Sequence, residues 1–404
     1  MRTVKQACVL QEKALDIHVS DQVEQLDQLI NNEGTGDAFF ERTFVTEGMR
    51  ILLSEGIARL AGKSNDSVFH LKQAMGGGKT HLLVAFGLLA RDRDLRNRVI
   101  PDVRYINDFE SARVAAFNGR NSPKEYFWGL IARQLGKAEL FKRFWESGPE
   151  APGEDDWLQL FSDDLPVLIL LDEMPPYFHE YITKPIGQGT VADIVTRAFA
   201  NLLTAASKKR NVCIVVSDLA AAYSAGSSLI NRALEDARRE IGRLERAIVP
   251  VDLSSNEVYE ILRKRLFRSL PDDAEIRQVA QRFRDILQEG VDARLLQPGA
   301  DAIADEVPDT YPFHPRFKNI VALFKENEDF RQTRGLLELS SRLLRSVWNR
   351  PSDDVYLIGP QHFDLSDRDV RESLQNISGM SDVISRDIWD QAGSAHAQQI
   401  DAAA

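Results

Sequence analysis

Short, uninterrupted apolar runs alternate along this chain with stretches whose apolar residues recur at helical spacing. The runs at 67–72, 113–117, 166–172, 212–217 and 248–252 predict strands. Leu165-Pro166-Val167-Leu168-Ile169-Leu170-Leu171, rich in Val, Ile and Leu, predicts a strand buried on both faces. Helical patterns separate these runs, among them Tyr126 to Leu135 and Asp193 to Ala206. Strands separated by helices imply a parallel sheet sandwiched between helical layers.

The pattern divides the chain. Residues 1–65 read as helical and amphipathic, with Val23, Leu26, Leu29 and Ile30 at helical spacing and a helix over Gly48 to Leu53. Residues 66–253 carry the alternating α/β pattern. An aromatic-rich helical insertion at about 121–163, holding Tyr126, Phe127, Trp128, Phe141, Phe144, Trp145, Trp157 and Phe161, fills the long interval between Lys79 and Asp172. From 254 to 350 the pattern is helical only. Ser254 and Ser255 cap Asn256 to Phe267, Pro315 opens Phe317 to Phe324, and further helices run from Asp273 to Gln288 and from Arg334 to Trp348. Arg350-Pro351-Ser352 ends that unit, so 351–404 reads as the start of a further region. The small, polar tail Gln391 to Ala404 suggests a chain cut from a longer protein.

Composition narrows the class. The chain has 404 residues, 43% hydrophobic and 27% charged, as expected of a globular protein of two or three domains. A formal net charge of −11 argues against binding nucleic acid over the whole surface, although Lys208-Lys209-Arg210 is a local basic patch. That patch also reads as a solvated turn. Cys8 and Cys213 are too few for a metal site or a disulfide framework. No signal peptide and no apolar run of membrane-spanning length is seen, so a soluble cytoplasmic protein is expected.

The chemistry concentrates in Met75-Gly76-Gly77-Gly78-Lys79-Thr80-His81. A strand, a glycine loop, Lys-Thr and a helix follow one another in the order a phosphate-cradling loop requires. Glycines let backbone N–H groups converge on phosphate oxygens, and the helix start adds its positive dipole end. Lys79 can reach the β- and γ-phosphates, and the Thr80 hydroxyl can ligate Mg²⁺. The usual pattern wants glycine at 73, where this chain has Gln73.

A second motif supports the first. Asp172 ends the buried strand, where open α/β sheets bind ligands, and can hold Mg²⁺ through water. Glu173 can orient and deprotonate the attacking water. Together they point to a P-loop ATPase or GTPase. An α/β core followed by a helical lid then suggests the AAA+ class: a three-layer αβα core with a parallel sheet and an all-helical lid. Within that class Ser217 matches a γ-phosphate sensor, and Asn118 matches the asparagine that holds the catalytic glutamate. The predicted helix from about Leu229 to Leu244 carries Arg232, Arg238, Arg239 and Arg243, with Arg246 beyond it. One of Arg243 or Arg246 can act in trans on a neighbour's phosphoryl group, although a solvated helix face laced by Glu235, Asp236, Glu240 and Glu245 is the ordinary alternative. Arg334, with Arg316 as rival, is the candidate second sensor, and a surface salt bridge is the alternative for both. The apolar segment with Phe39, Phe40, Phe44 and Val45 either walls an adenine base or simply packs in the core.

Phe40-Glu41-Arg42-Thr43-Phe44-Val45-Thr46, Met75 to His81, Tyr311-Pro312-Phe313-His314-Pro315 and Thr333-Arg334-Gly335 resemble a bacterial ATPase family. It is catalogued as domain of unknown function four-nine-nine and is related in style to the large ATPases of BREX-type phage-exclusion systems. The resemblance spans nearly the whole chain, and that family also lacks the glycine that Gln73 replaces. It implies ATP and Mg²⁺ as cofactors, self-assembly, and DNA methyltransferases or helicases as partners, with DNA a further candidate. The expected function is therefore an ATP-hydrolysing motor or switch in DNA-modification-linked defence. The alternative is a nucleotide-gated scaffold with slow turnover. A helicase is disfavoured because the helical character after 254 leaves no room for a second sheet. A polypeptide unfoldase is disfavoured because the Asn118 to Pro123 loop lacks an aromatic-hydrophobic pair.

Overall fold

The structure is a computed structural model that describes residues 1–15, 26, 36–72, 77–146, 149–217, 245–252, 255–325, 332–364, 367, 370, 383–388 and 392. Its centre is a five-stranded sheet of β1 (Val68–Leu71), β2 (Arg113–Asn118), β3 (Val167–Asp172), β4 (Val212–Ser217) and β5 (Glu245–Ile248), in the order β2-β3-β4-β1-β5. Every neighbouring pair is parallel. The fold is thus mixed α/β, with each strand direction dictated by a crossover rather than a hairpin.

The period-two alternation of strand side chains explains the layers. Val167, Ile169 and Leu171 of β3 face one apolar cluster, shared with the helices Phe127–Gln134, Glu154–Leu160, Met174–Ile182 and Val191–Lys208. Leu168 and Leu170 face the other cluster, shared with the helices Glu47–Leu60 and Lys79–Arg91. All six β3 residues are buried, which is why that run carries no polar alternation before Asp172. Within the aromatic segment expected as an insertion, Phe127, Trp128, Phe141, Trp157 and Phe161 join the same apolar cluster as the sheet residues Val167, Ile169 and Leu171. The segment's helix also covers the exposed edge. The Gln134 amide accepts from Ala116 N at 2.7 Å and donates to Ala116 O at 2.9 Å, satisfying backbone groups of edge strand β2.

The last strand corrects the expectation of 248–252. β5 pairs through Glu245 to Ile248 with Val68 to Leu71, and the apolar residues that follow lie outside it. Pro250 has no N–H for a ladder, and Val249 is 56% exposed. Arg246, expected before this strand, lies within it.

A third cluster unites the helices Glu257–Leu266, Phe317–Lys325 and Gln332–Asn349 with residues from the chain start. Val4, Ala7, Cys8 and Ala14 are buried in it, and Val9–Leu10 pairs antiparallel with Phe267–Ser269. The helix-only reading after 254 and the helical reading of the first residues are corrected by this strand pair. Nor does packing stop at 351. Ile358 is fully buried, donates its N–H to Pro312 O at 2.8 Å and accepts from His314 N at 2.8 Å. Val23, Leu29 and Ile30 lie outside the described residues. No helix among the described residues is long and apolar enough to cross a membrane.

At the amino end of the sheet one buried cation ties the layers. Arg59 is 2% exposed, and its guanidinium donates to Val212 O (2.9 Å), Ser64 O (3.0 Å), Asn65 O (3.2 Å), Ala206 O (2.9 Å) and Lys209 O. Ala206 and Lys209 close the helix Val191–Lys208, whose dipole favours a cation at that end. Burial disfavours the charged form, and the five carbonyls offset that cost. Arg59→Met should lower stability by about 2–4 kcal/mol, because it strands several buried carbonyls at once; denaturant unfolding followed by circular dichroism would measure the loss.

Candidate functional site

The carboxyl ends of the strands lie side by side: Asn118 is in register with Asp172, and Leu71 with Ser217. Chain order reverses between β4 and β1. From β1 the next strand, β2, lies on the β4 side, whereas from β4 the next strand, β5, lies beyond β1. Such a switch point opens a crevice at the strand ends, the usual ligand position in open α/β sheets.

Asp172 sits there, 1% exposed, as the hub of a small polar network. Its Oδ2 accepts from Thr80 Oγ1 at 2.6 Å, and its Oδ1 accepts from Glu173 N at 3.0 Å and from Ser217 Oγ. Ser217 Oγ in turn accepts from Glu173 N at 3.2 Å. The Ser217 hydroxyl, expected to sense a γ-phosphate, is therefore engaged with Asp172 and the Glu173 backbone. Hydrogen bonding explains how so buried a carboxylate is tolerated.

Thr80 arrives from the helix Lys79–Arg91, whose start is set by Gly78. Gly78 has φ +82°, a left-handed conformation that favours glycine, and its carbonyl accepts from Leu82 N at 2.9 Å. Lys79 is half-buried in the first turn and Gly77 is buried. Met75, Gly76 and Gln73 lie outside the described residues, as do Asp218, Arg243 and the other arginines predicted on the helix near 229–244. The Arg246 side chain is also outside them. Arg334 is half-buried in the first turn of the helix Gln332–Asn349, and Arg316 is exposed.

Glu173 also has a left-handed backbone, φ 51° and ψ 40°, at the N-cap of the helix Met174–Ile182. That conformation costs a non-glycine residue about 1–2 kcal/mol. Its Oε2 pairs with Arg120 Nη2 at 3.3 Å. Asn118 was the residue expected to hold Glu173. Its Oδ1 accepts from Arg120 N at 3.0 Å and Asn121 N at 3.1 Å, shaping the loop that delivers Arg120. Sequence reasoning passed over Arg120, and only the register of β2 on β3 places it beside Glu173.

His81, the last residue of the expected cofactor-binding stretch, is held by its own contacts. It stacks on Phe39 with centroids 4.5 Å apart, and its ring nitrogens meet Thr43 Oγ1 at 3.0 Å and Arg265 Nη2 at 3.4 Å. Phe39 is itself a buried member of the core facing the helix Lys79–Arg91, the packing alternative named for that segment. Lys208 and Lys209 lie just before β4, at the opposite end of the sheet from Asp172.

Taken together, fold and site define a mixed α/β chain whose glycine loop and acidic strand end meet at one switch point. Residues 12–114 match the DUF499 N-terminal domain, and residues 254–399 match the DUF499 second domain. Among solved structures, the Aeropyrum pernix ORC2 protein in its ADP form is similar at 15% identity and a TM-score of 0.31, over 82% of this chain and 73% of that one. A search of curated proteins gives no match.

The loop carrying Arg120 has no space for a side chain at its glycine. A Cβ on Gly119 would lie 2.4 Å from Glu173 O and 2.5 Å from Tyr177 Cβ. Gly119→Ala should therefore displace the Arg120 loop and cost about 1–3 kcal/mol. Thermal unfolding of the variant against the wild-type chain would test this.

Proposed function

We propose that this chain is an ATP-binding and hydrolysing module of the AAA+ class. The observation that carries the reading is the Thr80–Asp172 contact at the switch point. It joins the hydroxyl after a phosphate-loop lysine to the carboxylate at the end of a buried strand. Those two oxygens are the protein ligands a Mg–nucleotide complex would use, directly through Thr80 and through water by Asp172. The fit to Mg²⁺ is good in kind: both donors are hard oxygens. Among the described residues no group of three or more His, Cys, Asp or Glu gathers around a metal. Mg²⁺ bound with a nucleotide needs few protein ligands, because phosphates and water complete its shell. When bound, Mg²⁺ would supply charge neutralisation for the phosphates.

The chain's own groups then take defined tasks. Backbone N–H groups around Gly77 and Gly78 and the Lys79 ammonium bind phosphate oxygens. Ser217 and Thr80 hold the Asp172 carboxylate in place. Glu173 takes a proton from the attacking water, with its backbone anchored to Asp172 and Ser217. The helical unit after 254 serves as the lid, and Arg334 reaches from it as a second sensor. Self-assembly would let Arg243 or Arg246 act on a neighbour's site. The cellular role proposed is a motor or switch in DNA-modification-linked phage defence, alongside a methyltransferase or helicase. That role is supported by the motif resemblance alone.

One observation favours the slower alternative, a nucleotide-gated scaffold. Glu173 is ion-paired to Arg120, and a carboxylate held by a guanidinium is a weaker base. The pair is partly exposed, with Arg120 at 57%, so it is readily broken.

Lys79→Ala should abolish hydrolysis and weaken ATP binding at least about tenfold, whereas Glu173→Gln should bind ATP and turn over roughly 10²–10⁴-fold more slowly. Phosphate release and fluorescent-nucleotide titration read both, and chelating Mg²⁺ should stop turnover. Unchanged turnover in Lys79→Ala would sink the reading. Arg120→Ala separates the alternatives: increased turnover marks a restrained motor, and continued absence of turnover marks a scaffold.

A further inference from the structure

The His81 ring defines its own protonation pattern. Thr43 has one hydroxyl proton, and Thr43 Oγ1 donates it to Phe39 O at 2.8 Å. At its 3.0 Å contact with His81 Nε2, Thr43 must therefore accept, so Nε2 carries the imidazole proton. Nδ1 is then the acceptor for the Arg265 guanidinium at 3.4 Å. Stacking on the buried Phe39 ring fixes the plane. His81 is thus a neutral imidazole with a hydroxyl on one nitrogen and a guanidinium on the other.

Its position gives that arrangement meaning. His81 follows Thr80 in the first turn of the helix that the glycine loop leads into. Arg265 lies in the last turn of Glu257–Leu266, a helix of the third core. The other end of that helix is tied as well: Glu257 Oε1 accepts from Glu47 N at 2.5 Å. Between these ties, Val251 of the third core sits beside the glycine that starts the nucleotide helix, with its Cγ2 3.6 Å from where a Gly78 Cβ would lie. The helical unit therefore meets the first turn of the loop helix through the polar contact of Arg265 with His81.

We propose that His81 and Arg265 form a positioning joint that couples the C-terminal helical unit to the nucleotide site, holding the turn that carries Lys79 and Thr80 in its binding geometry. This rests on the reading of the glycine loop as that site. Neither side chain is assigned contact with the nucleotide. A coupling of this kind is reciprocal: bound nucleotide stabilises the joint as much as the joint favours nucleotide.

A double-mutant cycle on fluorescent MgATP affinity tests it. His81→Phe keeps the stack on Phe39 and removes both ring nitrogens, and Arg265→Met removes the guanidinium while keeping bulk. Each should weaken binding about 3–10-fold, and the double variant no more than the weaker-binding single, the signature of one shared interaction. Arg265→Lys, which keeps a donor, should recover most of the affinity. In nucleotide-free protein, the nitrogen-15 ring signals that His81→Phe removes should be those of an imidazole protonated at Nε2 with Nδ1 accepting, a pattern that His314 and His362 share through backbone N–H donors, and Arg265→Met should remove the hydrogen-bond shift at the Nδ1 of His81. Multiplied losses in the double variant, unchanged affinity in both singles, or an Nδ1-protonated ring would overturn the joint while leaving the nucleotide reading intact. A wild-type chain that binds no nucleotide would overturn both.

Discussion

The burial of Asp172 is the constraint on which the rest of the site depends. A carboxylate 1% exposed at the end of an all-apolar strand is stable only with donors supplied from outside that strand. Thr80 supplies one from the loop helix, Ser217 another from β4, and Glu173 a third through its backbone. Those donors fix the order of the sheet around β3 at its carboxyl end. They also anchor the Glu173 backbone in its left-handed conformation, since its N–H must point at Asp172 and Ser217 together. Strain at Glu173 and the close approach of Gly119 are consequences of satisfying one buried charge.

The two ends of the sheet solve the same problem with opposite charges. At the amino end a buried guanidinium, Arg59, collects carbonyls from a helix terminus, a strand start and a loop. At the carboxyl end a buried carboxylate collects hydroxyls and an N–H. The amino-end cation is saturated by backbone, so it holds layers together and offers a ligand nothing. The carboxyl-end anion is held by hydroxyls, one of which a cation could replace as a partner without unfolding anything. That asymmetry separates a charge closed off by backbone from one whose partners are exchangeable.

Asp172 and Ser217 are legible because each closes a continuous apolar run, Lys79 and Thr80 because they follow a run of three glycines, and four strands follow from the apolar runs themselves. β5 was misplaced because Ile248, Val249 and Val251 are more apolar than Glu245-Arg246-Ala247, yet Pro250 cannot join a ladder. The Val9–Leu10 and Phe267–Ser269 pair was invisible, since two short segments so far apart carry no local periodicity. Arg120 and Arg265 escaped for a related reason. Each matters only through a partner that register or packing brings near, and His81 and Arg265 are 184 positions apart. Asn118 stands at the expected strand end, where an Asx turn takes its oxygen and brings Arg120, two places on, beside Glu173.

The segment Phe39 to Glu47 gives the arrangement its internal logic. Phe39 belongs to the core beneath the loop helix, with Val45 packed at its edge, while Phe44 packs against the helical unit. Between them, Thr43 meets His81, and Thr46 Oγ1 donates to Pro250 O at 2.6 Å while accepting from Met49 N at 3.2 Å. The segment thus alternates its apolar side chains between two cores and directs its hydroxyls at the junction between them. Apolar packing is non-directional and tolerates small displacements, whereas hydroxyl and imidazole contacts require particular atoms at particular distances. A displacement of the helical unit would therefore register first in those polar contacts. Of these contacts, the one His81 makes lies one residue after Thr80, in the first helical turn beyond the glycine loop.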